Sequence, residues 1–292
     1  MRNNEERLEE TLRQQAASTE PIPAFLQQAQ SDQNINLSFI APTDHVPLPS
    51  KGLFYPDGHP LKGQETIEVK EMTAREEDIL NSKALIKKGL VFDKLISSIV
   101  VDRNIKAEDL LVCDRNAILI AARASAYGSE YAYQSVCPNC GVKERKTINV
   151  SEFLQREAEL PEMVEGTARL ENGNLVLKLP KTGWIVECRL LTGADEQRVV
   201  RLTEAKKKIN PSYEAGLVDN LSLFVVSIEG VTQPNLIGVG LQAMPARDSK
   251  FLRDMYQKYS PKVDLKTNFV CGSCEFEQEV EVPLTADFFW VK

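Results

Sequence analysis

Apolar residues recur along this chain in several registers, and each change of register predicts a change of element. In residues 4–18 only Leu8 and Leu12 fall at helical spacing among Glu, Arg and Gln. A seam so narrow cannot hold a helix alone in water. The stretch STEPIPAF breaks the pattern, AFLQQAQ allows a turn or two, and SDQNINLSFIAPTDHVPLPSKG has no period. Residues 1–46 therefore read as an extended or helical N-terminal arm. It is either a tail or a segment that orders on a partner, with Leu8, Leu12, Phe25 and Leu26 as anchors in the second case. From Pro47 the patterning is that of a folded body. GQETIEVKEMT alternates as a strand does. AREEDILNSKALIKKGL, VFDKLISSIVVD and KAEDLLVCDRNAILIAARASAYG carry apolar residues at three-to-four spacing and predict three helices. EYAYQSVCPNCGVKERKTINV predicts two short strands around a turn. GTARLENGNLVLKLP places Asn172-Gly173 between alternating runs, the pattern of a hairpin.

The second half of the chain repeats the first in outline. SVCPNCG falls on FVCGSCE, with Val136 on Val270, and the same shift lays Asp114 on Asp248 and Ile118 on Leu252. Upstream, IEVKEMTAREED lies over VECRLLTGADEQ and KLISSI over LFVVSI, the second copy carrying extra loop around KKKINPSY and TQPNLIGVG. Thr73 and Thr192 stand three residues before Glu76 and Asp195, the spacing at which a helix cap and a first-turn acid support each other. The predicted fold is α+β, with two related αβ modules arising by internal duplication. The arm covers 1–46, the first module 47–162, and the linking hairpin with the second module 163–292.

Composition narrows the function. The chain has 292 residues, 42% hydrophobic, with 35 basic and 42 acidic residues for a net charge of −7 and no basic block. A nucleic-acid surface needs cations to displace counterions, so that class is disfavoured. No apolar run reaches the roughly 18 residues of a membrane span, and MRNNEERLEETLRQQAAS is unlike a secretory leader. Six cysteines without such a leader point to metal binding rather than a disulfide framework. Four of them form two Cys-x-x-Cys pairs, Cys137 with Cys140 and Cys271 with Cys274. A redox dithiol would want a strand-to-helix context with an exposed, acidic thiol, whereas each pair here is followed by strand-like sequence. Zinc wants four tetrahedral ligands, and two knuckles supply two each, so the expectation is one shared, closed, structural zinc-ribbon-like site. Cys113 and Cys188 lie in apolar stretches and read as plain buried thiols.

Lys143, Glu144, Arg145 and Lys146 flank one knuckle, and Glu275, Glu277, Glu279 and Glu281 the other. These charges either complement one another or are solvated strand faces. Glu76-Glu77 and Asp195-Glu196 are better explained as helix starts than as acid/base pairs. The two histidines, His45 and His59, lie in a Pro/Gly-rich loop, and no nucleophile, base and orienting group stand together. The chain is not expected to be an enzyme or to take a small-molecule substrate. At the end, PLTADFFW offers Phe288, Phe289 and Trp290, either as a buried terminus or as anchors for a neighbour.

LPSKGLFYP, IEVKEMTAREEDIL, the knuckles in YGSEYAYQSVCPNCG and NFVCGSCEFEQEVEVPL, and the ending DFFW together resemble the base plate protein family of contractile-tailed bacteriophages, the T-even type hub subunits. The resemblance covers about residues 45–292. It implies a structural or assembly protein of the tail baseplate, made in the host cytoplasm and placed in the virion tail. Such a protein contacts other hub or wedge subunits and the tail tube, without catalysis. A zinc-containing adaptor or assembly chaperone of another complex, and a zinc-ribbon nucleic-acid-associated protein, remain the alternatives.

Overall fold

Strands β1 (Thr43–Pro47) and β2 (Thr66–Lys70) pair antiparallel, with buried Val46 opposite buried Ile67. They open the computed structural model, which describes residues 42–156, 160–210, 212, 214–282, 284 and 286–289. Leu8, Leu12, Phe25, Leu26 and Trp290 lie outside the described residues.

Three helices follow: α1 (Ala74–Asn81), α2 (Lys83–Lys87) and α3 (Val91–Ile99). The single helix expected over AREEDILNSKALIKKGL is interrupted at Ser82. Its backbone is extended (φ −70°, ψ 99°) and its Oγ accepts from the Leu85 amide, so it starts a new helix rather than continuing the old one. Val100 then bridges antiparallel to Val69. The next helix, α4 (Val112–Tyr127), begins later than KAEDLLVCD suggested, because Leu111 is extended and bridged to Thr192. Strands β3 (Glu130–Val136) and β4 (Lys143–Asn149) form the expected ribbon, and a short helix α5 (Ser151–Gln155) follows.

The second run opens with β5 (Thr167–Arg169) and β6 (Leu175–Lys178), the hairpin that Asn172-Gly173 predicted. Gly173 has φ +86°, and a Cβ there would lie 2.3 Å from the Phe54 carbonyl oxygen, so both conformation and space demand glycine. With β7 (Ile185–Cys188) and β8 (Val225–Ile228) these strands make an antiparallel sheet of order β5-β6-β7-β8. The helices are α6 (Gly193–Ile209), α7 (Leu217–Phe224), α8 (Pro234–Ala243) and α9 (Ala246–Tyr259). Strands β9 (Lys266–Val270) and β10 (Glu277–Glu281) follow, then a 3-10 turn, Ala286–Phe289.

The two runs carry like features in like order. Thr73 and Thr192 sit before α1 and α6. Each gives its backbone amide to the acid three residues on, Glu76 at 2.9 Å and Asp195 at 3.0 Å, and each hydroxyl also reaches that carboxylate. The acids therefore serve the helix starts, as expected, though here the threonine hydroxyl donates to the carboxylate. Leu48-Pro49-Ser50-Lys51-Gly52 follows β1, and Leu179-Pro180-Lys181-Thr182-Gly183 follows β6, with both glycines at positive φ (+66° and +74°). Each loop holds a fully buried aspartate in the first turn of a later helix. Asp114 accepts from the Ser50 amide (3.0 Å), the Ser50 hydroxyl (2.6 Å) and the Tyr55 hydroxyl (2.8 Å). Asp248 accepts from the Lys181 and Thr182 amides (2.8 and 2.9 Å) and the Thr182 hydroxyl (2.8 Å). A buried carboxylate is costly unless so satisfied, and each therefore pins a loop to a helix.

The described residues form one compact unit. Leu95, Ile96 and Ile118 of the first run and Leu177, Val186 and Leu252 of the second lie in one hydrophobic cluster. The expected boundary at 162/163 thus separates two stretches of topology that share a core. At their junction Val112 donates to the Leu191 carbonyl and Gly193 to the Leu110 carbonyl, both at 3.0 Å, while Arg115 pairs with Asp93 (2.8 Å) and Glu196 (3.3 Å).

The C-terminal aromatics resolve in one direction. Phe288 and Phe289 are each 1% exposed, against Tyr131 and Phe92 at ring distances of 5.0 and 6.1 Å. Arg123, itself buried, donates to the Phe288 carbonyl (3.1 Å) and to those of Gly128 and Glu130. As anchors for a neighbour these two rings are corrected: burial in the chain's own core leaves neither face to offer.

Candidate metal centre

Alternation in β3 and β4 places Tyr131, Tyr133 and Ser135 on one face with Glu144, Lys146 and Ile148; β9 and β10 likewise set Phe269 beside Gln278 and Thr267 beside Val280. These inner faces meet. The Lys146 ammonium lies 5.5 Å from the Phe269 ring centroid, and Glu144 accepts from the Gly272 amide at 2.8 Å.

Each ribbon ends in a knuckle with the same hydrogen bonds. Cys137 donates to the Val142 carbonyl (2.9 Å) and accepts from the Gly141 amide (2.9 Å). Cys271 donates to the Phe276 carbonyl (2.9 Å) and accepts from the Glu275 amide (3.0 Å). The last turn residue is left-handed in both, Gly141 at φ +73° and Glu275 at φ +56°. Glycine takes that conformation without penalty; glutamate does not.

The knuckles bring all four cysteines of the two pairs together, their Sγ atoms within 4.8 Å of one another. The Cys137–Cys274 and Cys140–Cys271 sulfurs are each 3.6 Å apart, so the first cysteine of either knuckle meets the second of the other. Those separations exceed a disulfide bond of about 2.05 Å by far. They approach the ~3.8 Å between sulfurs that a tetrahedral ion with ~2.3 Å bonds requires. The donor set fits a thiophilic metal ion and can hold one. Asn139 donates to the Cys274 sulfur (3.5 Å), and that hydrogen bond, aided by the Phe276 amide, lowers its pKa to about 6. At Cys140, an exposed residue, the Val142 backbone works toward ionisation, but local desolvation and hydrogen bonds with the neighbouring thiols outweigh it and push the pKa up to about 12. Four thiols this close cannot all ionise unaided; a cation at their centre removes that conflict.

The cluster around the sulfurs is small and separate from the main core. Cys137, Phe269 and Cys271 are its buried residues, with Cys274, Phe276 and Val280 packed against them. Lys146 pairs with Glu144 and Lys266 with Glu279, each inside its own ribbon. Cys113 and Cys188 lie apart from the four, buried as expected, and burial pushes both thiols up. The sequence reading found the cysteines but not the ties around them: Glu144 across the knuckles, Asn139 on sulfur, and Arg123 under the first ribbon. Of these, Asn139 lies inside its Cys-x-x-Cys loop, and Glu144 was marked only as one of the charges flanking the first knuckle.

Residues 56–183 match the family model described as T4 bacteriophage base plate protein. The matched segment spans somewhat under half of the chain and includes the first knuckle, a shorter stretch than the resemblance suggested. Over it the chain is similar to that family, which supports a structural role in a phage baseplate and a place in the virion tail. No curated protein and no solved structure matches the chain. No helix among the described residues is long and apolar enough to cross a membrane.

Proposed function

We propose that this chain is a non-enzymatic structural or assembly component of the hub region of a phage tail baseplate. In this reading it is assembled in the host cytoplasm and binds neighbouring hub or wedge subunits and the tail tube. Two related αβ modules, products of an internal duplication, are clamped at their ends by one zinc ion on Cys137, Cys140, Cys271 and Cys274. The match over residues 56–183 is the observation that carries the baseplate assignment. The paired LP-x-x-G loops on buried Asp114 and Asp248, and the matched knuckle hydrogen bonds, support the duplication. The crossed 3.6 Å sulfur pairs support a single shared ion.

The role of the ion is mechanical: four thiolates leave it no open position for chemistry, and its binding energy goes into holding the ribbons. Elemental analysis of the purified chain is expected to give one zinc per chain, lost in Cys137→Ser and in Cys271→Ser alike. Full zinc content in either variant overturns the shared site. Co-expression with the tail-tube and hub proteins encoded alongside the chain is expected to yield a complex that survives gel filtration. Absence of any such complex, together with absence of the chain from both purified tails and assembly intermediates, overturns the baseplate reading.

A further inference from the structure

The geometry points to head-to-tail self-association, in which the outer face of the β3–β4 ribbon of one copy docks on the outer face of the β9–β10 ribbon of the next. Residues opposite each other in an antiparallel pair share a face. In the first ribbon, Val136 lies opposite Lys143 and Gln134 opposite Arg145; in the second, Val270 lies opposite Glu277 and Asn268 opposite Glu279. These faces point away from the metal cluster, and all eight residues are exposed. The two faces correspond position by position, counted from the first cysteine of each knuckle. A valine stands next to that cysteine in both, 53% exposed at Val136 and 41% at Val270. Across the ribbon the charge then reverses, Lys143 and Arg145 in one against Glu277 and Glu279 in the other, with Glu281 extending the acidic row.

Two surfaces of the same shape and opposite sign, each with an apolar patch at the same place, suit each other better than either suits itself. A twofold dimer would set like charges together, whereas the heterologous contact sets unlike charges together and repeats from copy to copy. Lys266 already pairs with Glu279 within its ribbon at 2.6 Å and faces Glu281 across it, so one lysine offsets part of a row of three glutamates and the face stays acidic. The faces are small, so the association is weak and strongly salt-dependent. This inference does not require the baseplate reading. It requires only that the ribbons stand as described, which metal content reports independently.

Sedimentation velocity of the full chain is the test. Concentration-dependent association is expected at low salt, with Kd weakening at least about tenfold at ~0.5 M salt. Lys143→Glu with Arg145→Glu makes both faces acidic, and Glu277→Lys with Glu279→Lys makes both basic. Each double variant is expected to stay monomeric, while their equimolar mixture associates. Metal content is measured in every sample; should a reversal disturb it, Lys143→Gln with Arg145→Gln must give the same loss with the metal in place. A chain monomeric at low salt overturns the inference, as does association unchanged by the reversals, or a mixture no better associated than its components.

Discussion

Removing the proposed metal is expected to open the ribbon tips while sparing the rest of the fold. Around the sulfurs only Phe269 buries a large apolar side chain, which contributes about 2–3 kcal/mol. Fixing the backbone of a single strand residue costs about 1–2 kcal/mol, and isolated two-stranded ribbons are marginal in water, so this cluster cannot order both tips by itself. A four-thiolate zinc site is worth on the order of 10–16 kcal/mol in small folded sites, enough to decide the matter. The ribbon bases are held differently. Tyr131 and Ile148 pack against the main core beside buried Val150, and Leu265 and Val282 are buried where the second ribbon enters and leaves. Hydrogen exchange read by mass spectrometry, with and without a chelator, should therefore show a gradient. Protection falls most at residues 134–145 and 268–279, least at the bases, and hardly at all over α3, α4 and the four-stranded sheet. Unchanged protection at the tips after verified metal removal would refute the reasoning, and so would loss of the core along with the tips.

Other expectations concern the body. Gly173→Ala forces a Cβ against the Phe54 carbonyl in a left-handed residue, so a loss of at least about 2 kcal/mol is expected in denaturant melts, and a neutral result would count against the described turn. Thr182→Ala removes one of the donors on Asp248, and Ser50→Ala one of those on Asp114; each should cost about 1–3 kcal/mol by the same assay, and equal tolerance to Ala at exposed Ser212 and at these two sites would show that the anchors do not hold the loops. Glu275→Gly should stabilise the metal-bound chain by up to about 1 kcal/mol, since it gives the second knuckle the residue the first already has; destabilisation would mean the glutamate does more than occupy the turn. Burial opposes ionisation of Glu76, but hydrogen bonds from Ser98 and Thr73 with nearby Lys70 outweigh it and hold the pKa at about 2, below its ordinary 4.5. Its stabilisation is thus complete above pH ~4.5 and lost as pH falls toward 2, on the order of 1–2 kcal/mol after screening; Glu76→Gln should flatten that part of the stability profile, and an unchanged slope would refute the assignment.

What could be read from the sequence was local in origin, and what could not was a long-range polar tie. The ribbons around the cysteines were legible because alternation needs only neighbours, and β3, β4 and the Asn172-Gly173 hairpin fall where the pattern put them. The starts of α1 and α6 were legible because threonine and acid lie within one turn. The four cysteines were legible as a set only because they came as two pairs in matched surroundings, while Glu144, which ties the knuckles from 128 positions away in sequence, stood out only as one of several charges beside the first pair. The same holds for the loops on Asp114 and Asp248. Their partners stand 64 and 66 positions off, and the donor hydroxyl moves from the third loop residue, Ser50, to the fourth, Thr182, so a residue-by-residue comparison sees a mismatch where the hydrogen bonding is alike. The start of α4 was misplaced for a related reason: apolar spacing carries KAEDLL into the helix, but the backbone on either side of Leu111 is bonded to the other run, Val112 donating to the Leu191 carbonyl and Gly193 to the Leu110 carbonyl. A helix stops where a competing partner for its backbone is better placed; before α4 those partners come from the other half, while at Ser82 the partner is the local hydroxyl. That dependence of each half on the other explains why the two runs share one core.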